Sequence, residues 1–309
     1  MPSALPPTVG PLSKLGTIIL VLSASLGGGQ LRKSIGKHPV ASFLIITFAW
    51  GWMFYVPAAL VIDEHPEQTG WLVAFQTLGA ASPLLAGHVV RQAGGGWSSV
   101  AHGWRRYTEW RLPVWIYVAA ILVLPSVGGL TALLTRRPGD GLLELWENLG
   151  PLTAVVVPMS IAAQLASSPL LEEYGWRGFL QPCLQERHRA LPSALFVGAL
   201  WGLHHLPLAI GAGLPVGETI VGAVGPSIIA AWLLNEGRGS MVGVMLLHAS
   251  LNVAIQVIAP DGLLFDILII LVAGGVVTFA GPLNLARRPR FVLAAEQRPR
   301  SSAPGPLRS

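Results

Sequence analysis

Long apolar stretches alternate with short polar segments along most of this sequence. A membrane-spanning helix needs about 20 mostly apolar residues, because the hydrocarbon core of a bilayer is about 30 Å thick. Eight stretches reach that length. Their approximate bounds are 39–62, 70–90, 112–134, 151–171, 191–210, 218–234, 241–259 and 262–285. The pattern therefore predicts an all-α, polytopic transmembrane helical bundle of about eight spans.

The composition agrees with a chain that mostly avoids water. Of the 309 residues, 52% are hydrophobic and only 11% are charged, whereas soluble globular domains carry about 25% charged residues. The single cysteine, Cys183, excludes an intramolecular disulfide and any metal site built from several cysteines. The net charge of +5 would also suit a nucleic acid partner, but its distribution favours a membrane surface.

The basic residues predict how the spans are oriented. Cytoplasmic loops of membrane proteins concentrate Lys and Arg. When the eight spans alternate from a cytoplasmic N-terminus, 18 of the 20 basic residues fall in cytoplasmic segments. The outer loops then contain only Arg136 and Arg137. We therefore expect both chain ends in the cytoplasm of a multi-pass protein of the cell membrane.

Three regions follow from this pattern. Residues 1–38 form a leader that we expect to be interfacial or disordered, and its short apolar segment 16–26 also resembles the core of a signal peptide. Residues 39–285 form the helical domain, with a chemically distinctive core at about 151–259. Residues 286–309 are basic and rich in Pro and Ser, which predicts a disordered cytoplasmic tail near anionic lipid.

Ionisable residues inside spans are costly and usually mark function. Three groups of polar residues, most of them ionisable, lie in the C-terminal half of the chain. They are Glu172, Glu173 and Arg177 in LLEEYGWRGFLQ, His204 and His205 in LWGLHHLPL, and His248 and Asn252 in MLLHASLN. A carboxylate, imidazoles and an amide from three helices can activate water and stabilise an oxyanion. The same residue types would also serve a water-activating metal or a proton or ion pathway.

Helix geometry separates the adjacent residues in these groups. Glu173 and Arg177 are four residues apart and can pair on one face. Glu172 lies about 100° around the helix from Glu173, so only one carboxylate can point into a shared cavity. His204 and His205 are also adjacent, so we expect only one of them to face the other polar groups.

The three groups resemble the CPBP family of intramembrane proteases, which includes CAAX prenyl endopeptidases and bacteriocin-processing or self-immunity proteins. The family pattern is EExxxR, then FxxxH, then HxxxN or HxxxD. This chain has EEYGWR at 172–177, WGLHH at 201–205 and HASLN at 248–252. Trp201 stands where the family usually has Phe, and His205 matches the histidine of the second motif.

The resemblance implies a role for each matching residue. Glu172 would activate water with help from His205, and His248 and Asn252 would stabilise the tetrahedral intermediate. Glu173 and Arg177 would support the site. The substrate would be a membrane-associated peptide or a lipidated protein. From the depth of His248, we expect the site in the cytoplasmic half of the membrane, with substrate entering from that leaflet.

The resemblance leaves the cofactor open between zinc and none. Glu172, His205 and His248 would suit a catalytic zinc with an open position. The chain has no HExxH spacing, which favours a carboxylate that activates water without a tightly bound metal. Two other functions use the same residues: a catalytically silent immunity or scaffold protein of this fold, and a small-solute or proton transporter.

Overall fold

The computed structural model describes residues 28–61, 69–135, 150–152, 155, 158–159, 163–165, 167–258 and 262–293. Within these ranges the regular structure is helical and contains no strand, which confirms the predicted all-α class. The helices are α1 Gly28–Lys37, α2 Pro39–Ala59, α3 Thr69–Ala80, α4 Ser82–Arg105, α5 Val114–Thr135, α6 Ser168–Gly175, α7 Gln181–Gln185, α8 Ala190–Gly211, α9 Val216–Glu236, α10 Val242–Val253 and α11 Gly262–Ala280.

Six helical stretches in the described part of the chain are long and apolar enough to cross a membrane, so the protein is a multi-pass integral membrane protein. They are Pro39–Ala59, Gly70–Thr108, Val114–Thr135, Ala190–Gly211, Val216–Glu236 and Gly262–Ala280. Val242–Gln256 is apolar but shorter. The predicted span 151–171 is described only in pieces, at residues 151–152, 155, 158–159, 163–165 and 167–171. The count of eight spans and the cytoplasmic placement of both ends therefore stay predictions.

A π-helix at Trp176–Leu180 joins α6 to α7. A buried backbone carbonyl needs a hydrogen-bond partner, and two buried arginines supply it for Gly178. Arg91 Nη2 and Arg106 Nη1 each donate to the Gly178 oxygen at 2.7 Å. These contacts connect α4 and the turn after it to the segment that carries the two glutamates.

Helices α8 and α9 pack closely because glycines face α9 at the contact. A Cβ atom at Gly198 would lie 2.9 Å from the Val224 Cα, and one at Gly202 would lie 2.7 Å from the Ile220 Cα. Real Cβ atoms do not come this close to backbone. This small-residue spacing is a common way for membrane helices to approach each other, and it places His205, one turn after Gly202, beside α9.

Both predicted terminal regions contain more structure than their composition suggested. Residues 28–37 of the leader form α1, while residues 1–27 lie outside the described residues. In the predicted disordered tail, the Arg287 backbone N–H donates to Glu236 Oε1 at 2.8 Å. Arg290 Nε donates to the Gln185 oxygen at 2.8 Å, and Gln185 Nε2 donates to the Phe291 oxygen at 2.6 Å.

These hydrogen bonds hold part of residues 286–293 against the helices, and the disordered tail stays a prediction. Buried polar groups at the ends of α7 and α9 provide hydrogen-bond partners for this segment, and composition alone does not reveal such partners. Residues 294–309 lie outside the described residues.

Candidate active site

The two adjacent glutamates of α6 are both buried but point in different directions. Glu172 lines a cavity of about 410 Å³ that His205, His248 and Asn252 also line. Glu173 is 1% exposed and is not part of this lining. The 100° step between neighbouring helix positions accounts for this division.

Glu172 contacts α8 through one carboxylate oxygen. Trp201 Nε1 donates to Glu172 Oε2 at 2.7 Å, and His205 Nε2 lies 3.7 Å from the same oxygen. His205 Nδ1 donates to the Trp201 backbone oxygen at 2.9 Å. Because a carbonyl only accepts, the proton of a neutral His205 lies on Nδ1, and Nε2 is left as an acceptor beside Glu172.

Glu173 binds the other two charged or titratable groups of the site. Arg177 Nη1 donates to Glu173 Oε1 at 2.9 Å, and His248 Nδ1 donates to the same oxygen at 2.7 Å. All three side chains are buried. The Arg177 Cζ lies 4.6 Å from the centre of the Trp201 ring. The contact with Glu173 fixes the His248 ring and leaves its Nε2 as the nitrogen available to the cavity.

Asn252 lines the cavity, but its amide group is engaged. Its Nδ2 donates to Ser168 Oγ at 3.0 Å and to Gln164 Oε1 at 3.2 Å. An amide carries two hydrogens, so both are used between α10 and the residues at the start of α6. The predicted oxyanion role requires one of these bonds to be exchanged when substrate binds.

His204 is turned about 100° around α8 from His205 and does not line the cavity. It is fully buried, and its Nε2 is 2.9 Å from Ser82 Oγ. Its ring packs against the aromatic rings of Phe48, Tyr55 and Trp176. Of the two adjacent histidines, His205 is the one that faces the cavity.

Among the described residues, one group of three side chains is arranged so that it could hold a metal ion. Ligand atoms of Glu172, His204 and His205 all lie within 4.8 Å of one another. His248, which the sequence suggested as the third ligand, is not in this group, and its Nδ1 is bound to Glu173. The zinc set with His248 stays a prediction, and His204 is the residue that lies within this distance of Glu172 and His205.

The cavity extends toward the end of the bundle where α8 meets α9. Leu214 and Pro215, which join these helices, belong to its lining, together with Glu218 and Asp266. His205 lies only six residues before the end of α8, or about 9 Å along the axis at 1.5 Å per residue. With a cytoplasmic N-terminus this end of the bundle would face outward. The position of the cavity therefore indicates substrate entry from the outer side, whereas the sequence predicted entry from the cytoplasmic leaflet.

Two comparisons identify relatives of the chain. Residues 153–254 match the family described as type II CAAX prenyl endopeptidase, Rce1-like. CAAX prenyl protease 2 of Methanococcus maripaludis is 25% identical over 153 residues, which cover 45% of this chain and 55% of that protein. The chain thus spans about half the length of the curated relative that it matches.

The matched region contains every residue that the sequence motifs selected, from Glu172 to Asn252. The structure brings four of them, contributed by α6, α8 and α10, to one cavity between apolar helices. Motifs, cavity and family match agree on the same segment of the chain. These findings support the resemblance of residues 153–254 to the CPBP family of intramembrane proteases, and in particular to its Rce1-like CAAX prenyl endopeptidases.

Proposed function

We propose that this protein is an intramembrane endopeptidase in which the Glu172 carboxylate activates a water molecule to hydrolyse a peptide bond. The observation that supports it most is the convergence of Glu172, His205, His248 and Asn252 on one cavity of about 410 Å³. The family match and the name of the Methanococcus maripaludis relative, CAAX prenyl protease 2, point to the same reaction.

In the proposed first step, water lies between the Glu172 carboxylate and His205 Nε2, and both accept hydrogen bonds from it. Glu172 removes a proton as the water oxygen attacks the carbonyl carbon of the scissile bond. The carbonyl π bond opens and its electron pair moves to the oxygen, which gives a tetrahedral oxyanion. A general base in this position typically contributes 10²–10⁴-fold to the rate.

The proposed second step depends on His248. Its Nδ1 is held by the buried Glu173 carboxylate, so a protonated ring can donate from Nε2 to the oxyanion. Asn252 adds a second donor if it exchanges one of its bonds to Ser168 or Gln164. The intermediate then collapses, the C–N bond breaks, and the proton taken up by Glu172 passes to the leaving amine.

The cavity lining suggests the class of substrate. Its walls away from the polar groups are apolar and include Leu214, Leu251, Ile255, Phe265 and Ile269. An apolar wall inside the bilayer suits a peptide that is tethered to the membrane. Together with the relative's name, CAAX prenyl protease, this supports a prenylated CAAX-type peptide as the first substrate to test.

A zinc-dependent version of the reaction has a specific observation in its favour, the closeness of Glu172, His204 and His205. These residues would hold the ion, and bound zinc would supply a Lewis acid that makes water a nucleophile at neutral pH. Against this arrangement, His204 Nε2 already contacts Ser82 Oγ and Glu172 Oε2 accepts from Trp201. We therefore favour the metal-free reaction.

The test uses the full chain in liposomes with a farnesylated CAAX-type peptide and its unprenylated twin. The proposal predicts cleavage of the prenylated peptide, loss of cleavage in Glu172→Gln, and normal cleavage in Glu186→Gln, which changes an exposed carboxylate outside the cavity. Dialysis against a strong chelator should leave the rate intact. Loss of activity on dialysis, followed by its restoration with stoichiometric zinc, would instead favour the metal mechanism.

The two alternative functions predict different outcomes in the same experiment. A silent immunity or scaffold protein would bind peptide without cleaving it. A transporter would move solute or protons across the liposome membrane and release no peptide fragment. Equal cleavage by the wild type and Glu172→Gln would overturn the assignment of the base.

A further inference from the structure

Trp201 contacts both groups that would hold the attacking water. Its indole Nε1 donates to Glu172 Oε2 at 2.7 Å, and its backbone oxygen accepts from His205 Nδ1 at 2.9 Å. One residue thus binds one heteroatom of the carboxylate and one of the imidazole. The remaining atoms, Glu172 Oε1 and His205 Nε2, are left for water and substrate.

We propose that Trp201 is a positioning residue whose indole N–H holds the Glu172 carboxylate in its water-activating orientation. This inference rests on the proposed function of Glu172. It assigns to the tryptophan a role beyond packing, because a phenylalanine of similar shape would fill the space without donating a hydrogen bond.

The surroundings of the indole restrict its movement. The Arg177 guanidinium lies 4.6 Å from the ring centre, and the ring centres of His248 and Trp201 are 5.2 Å apart in an edge-on arrangement. Trp201 is 8% exposed. Because these neighbours hold the indole in place, its N–H stays directed at Glu172 Oε2, and this oxygen remains hydrogen-bonded to Trp201.

The second oxygen is the one that can act on water. Among the contacts of the described residues, no hydrogen bond reaches Glu172 Oε1, and this atom is not among the buried polar atoms that lack a partner. Because Glu172 lines the cavity, Oε1 is the oxygen with access to it. Loss of the indole N–H would free the carboxylate to rotate and divide its time between orientations.

The test compares Trp201→Phe with Trp232→Phe. The Trp232 Nε1 is buried without a hydrogen-bond partner and lies outside the cavity lining, so its variant controls for the change of ring size. For Trp201→Phe we expect kcat to fall about 10- to 100-fold, the range for losing a hydrogen bond to a charged group. KM should change little, because the hydrogen bond acts on the base and not on the bound peptide.

A second variant covers the case in which Trp201→Phe does not fold. Benzothienylalanine at position 201 replaces the indole N–H with sulfur and keeps the bicyclic ring, so packing against Arg177 is retained. The inference predicts the same loss of kcat with little change in KM. A normal kcat in either folded variant would overturn it.

A spectroscopic readout separates this inference from the proposed function. The infrared carboxylate bands of Glu172, assigned by their disappearance in Glu172→Gln, report hydrogen bonding to that carboxylate. They should shift in frequency in the Trp201 variants and stay in place in Trp232→Phe. Shifted bands without peptide cleavage by the wild type would remove the protease function but keep the role of Trp201. Unshifted bands would overturn that role even if the protein cleaves peptides.

Discussion

At the residue scale, neighbouring side chains divide into one that faces the cavity and one that supports it. Glu172 and His205 line the cavity, while Glu173 and His204 are buried among protein groups. Glu173 is the partner of two other buried groups of the site, because Arg177 and His248 both donate to its Oε1. Removing one partner from such a buried group leaves the others uncompensated.

Glu173→Gln should therefore reduce stability, whereas Glu172→Gln should not. The neutral amide leaves the buried Arg177 without its counter-ion, which typically costs about 3–5 kcal/mol. Thermal unfolding in detergent measures the difference between the two variants. The double variant Glu173→Gln/Arg177→Met should recover much of the stability while remaining poorly active. A Glu173→Gln protein as stable as the wild type would contradict the pairing.

The two histidines give a second comparison. His205→Ala should abolish turnover in a folded protein, because His205 Nε2 lies beside the Glu172 carboxylate. His204→Ala should lower stability by about 1–3 kcal/mol, since it leaves the buried Ser82 hydroxyl without a partner. The rate per folded molecule should remain substantial. Complete loss of turnover in folded His204→Ala would instead support the zinc site.

At the element scale, Asn252 links α10 to the start of α6. Asn252→Ala removes hydrogen bonds to Ser168 and Gln164, so we expect a lower unfolding temperature in detergent. If Asn252 also donates to the oxyanion, kcat of the folded protein should fall about 100- to 1,000-fold. The double variant with His248→Ala would then lose less than the product of the two single effects.

Measuring rate and unfolding temperature on the same preparation separates the two roles of Asn252. A lower unfolding temperature with a near-normal rate would leave it as a link between helices and remove it from the catalytic site. Ser168→Ala is the matched control, because it removes one of the hydrogen-bond acceptors but leaves the amide of Asn252 in place.

The sequence could predict the helices and the polar groups that they carry, because both depend on local pattern. It could also predict that Glu172 and Glu173 point in different directions. It could not predict that Trp201 donates to Glu172 or that Asn252 binds Ser168, because these contacts depend on how far each helix is rotated against its neighbour. The docking of residues 286–293 depends on the ends of α7 and α9, which are distant in sequence.

At the scale of the whole molecule, the side on which the cavity opens can be tested by labelling. Burial raises the pKa of the native Cys183 thiol to about 12, so it should react slowly at neutral pH. In a Cys183→Ser background, a membrane-impermeant maleimide should label Leu214→Cys from outside the cell and Arg238→Cys only after permeabilisation. Labelling of Leu214→Cys from the cytoplasm would reverse the orientation taken from the basic residues.

The central claim, that Glu172 activates water and does not itself attack the peptide, is tested most directly by a single turnover in ¹⁸O-labelled water. Enzyme in excess over a prenylated peptide would be quenched after one cleavage, and mass spectrometry would locate the label. We predict one ¹⁸O atom in the new carboxylate of the product and none in the peptide that contains Glu172. Label on Glu172 would indicate a covalent intermediate, and the absence of any cleavage would contradict the protease assignment itself.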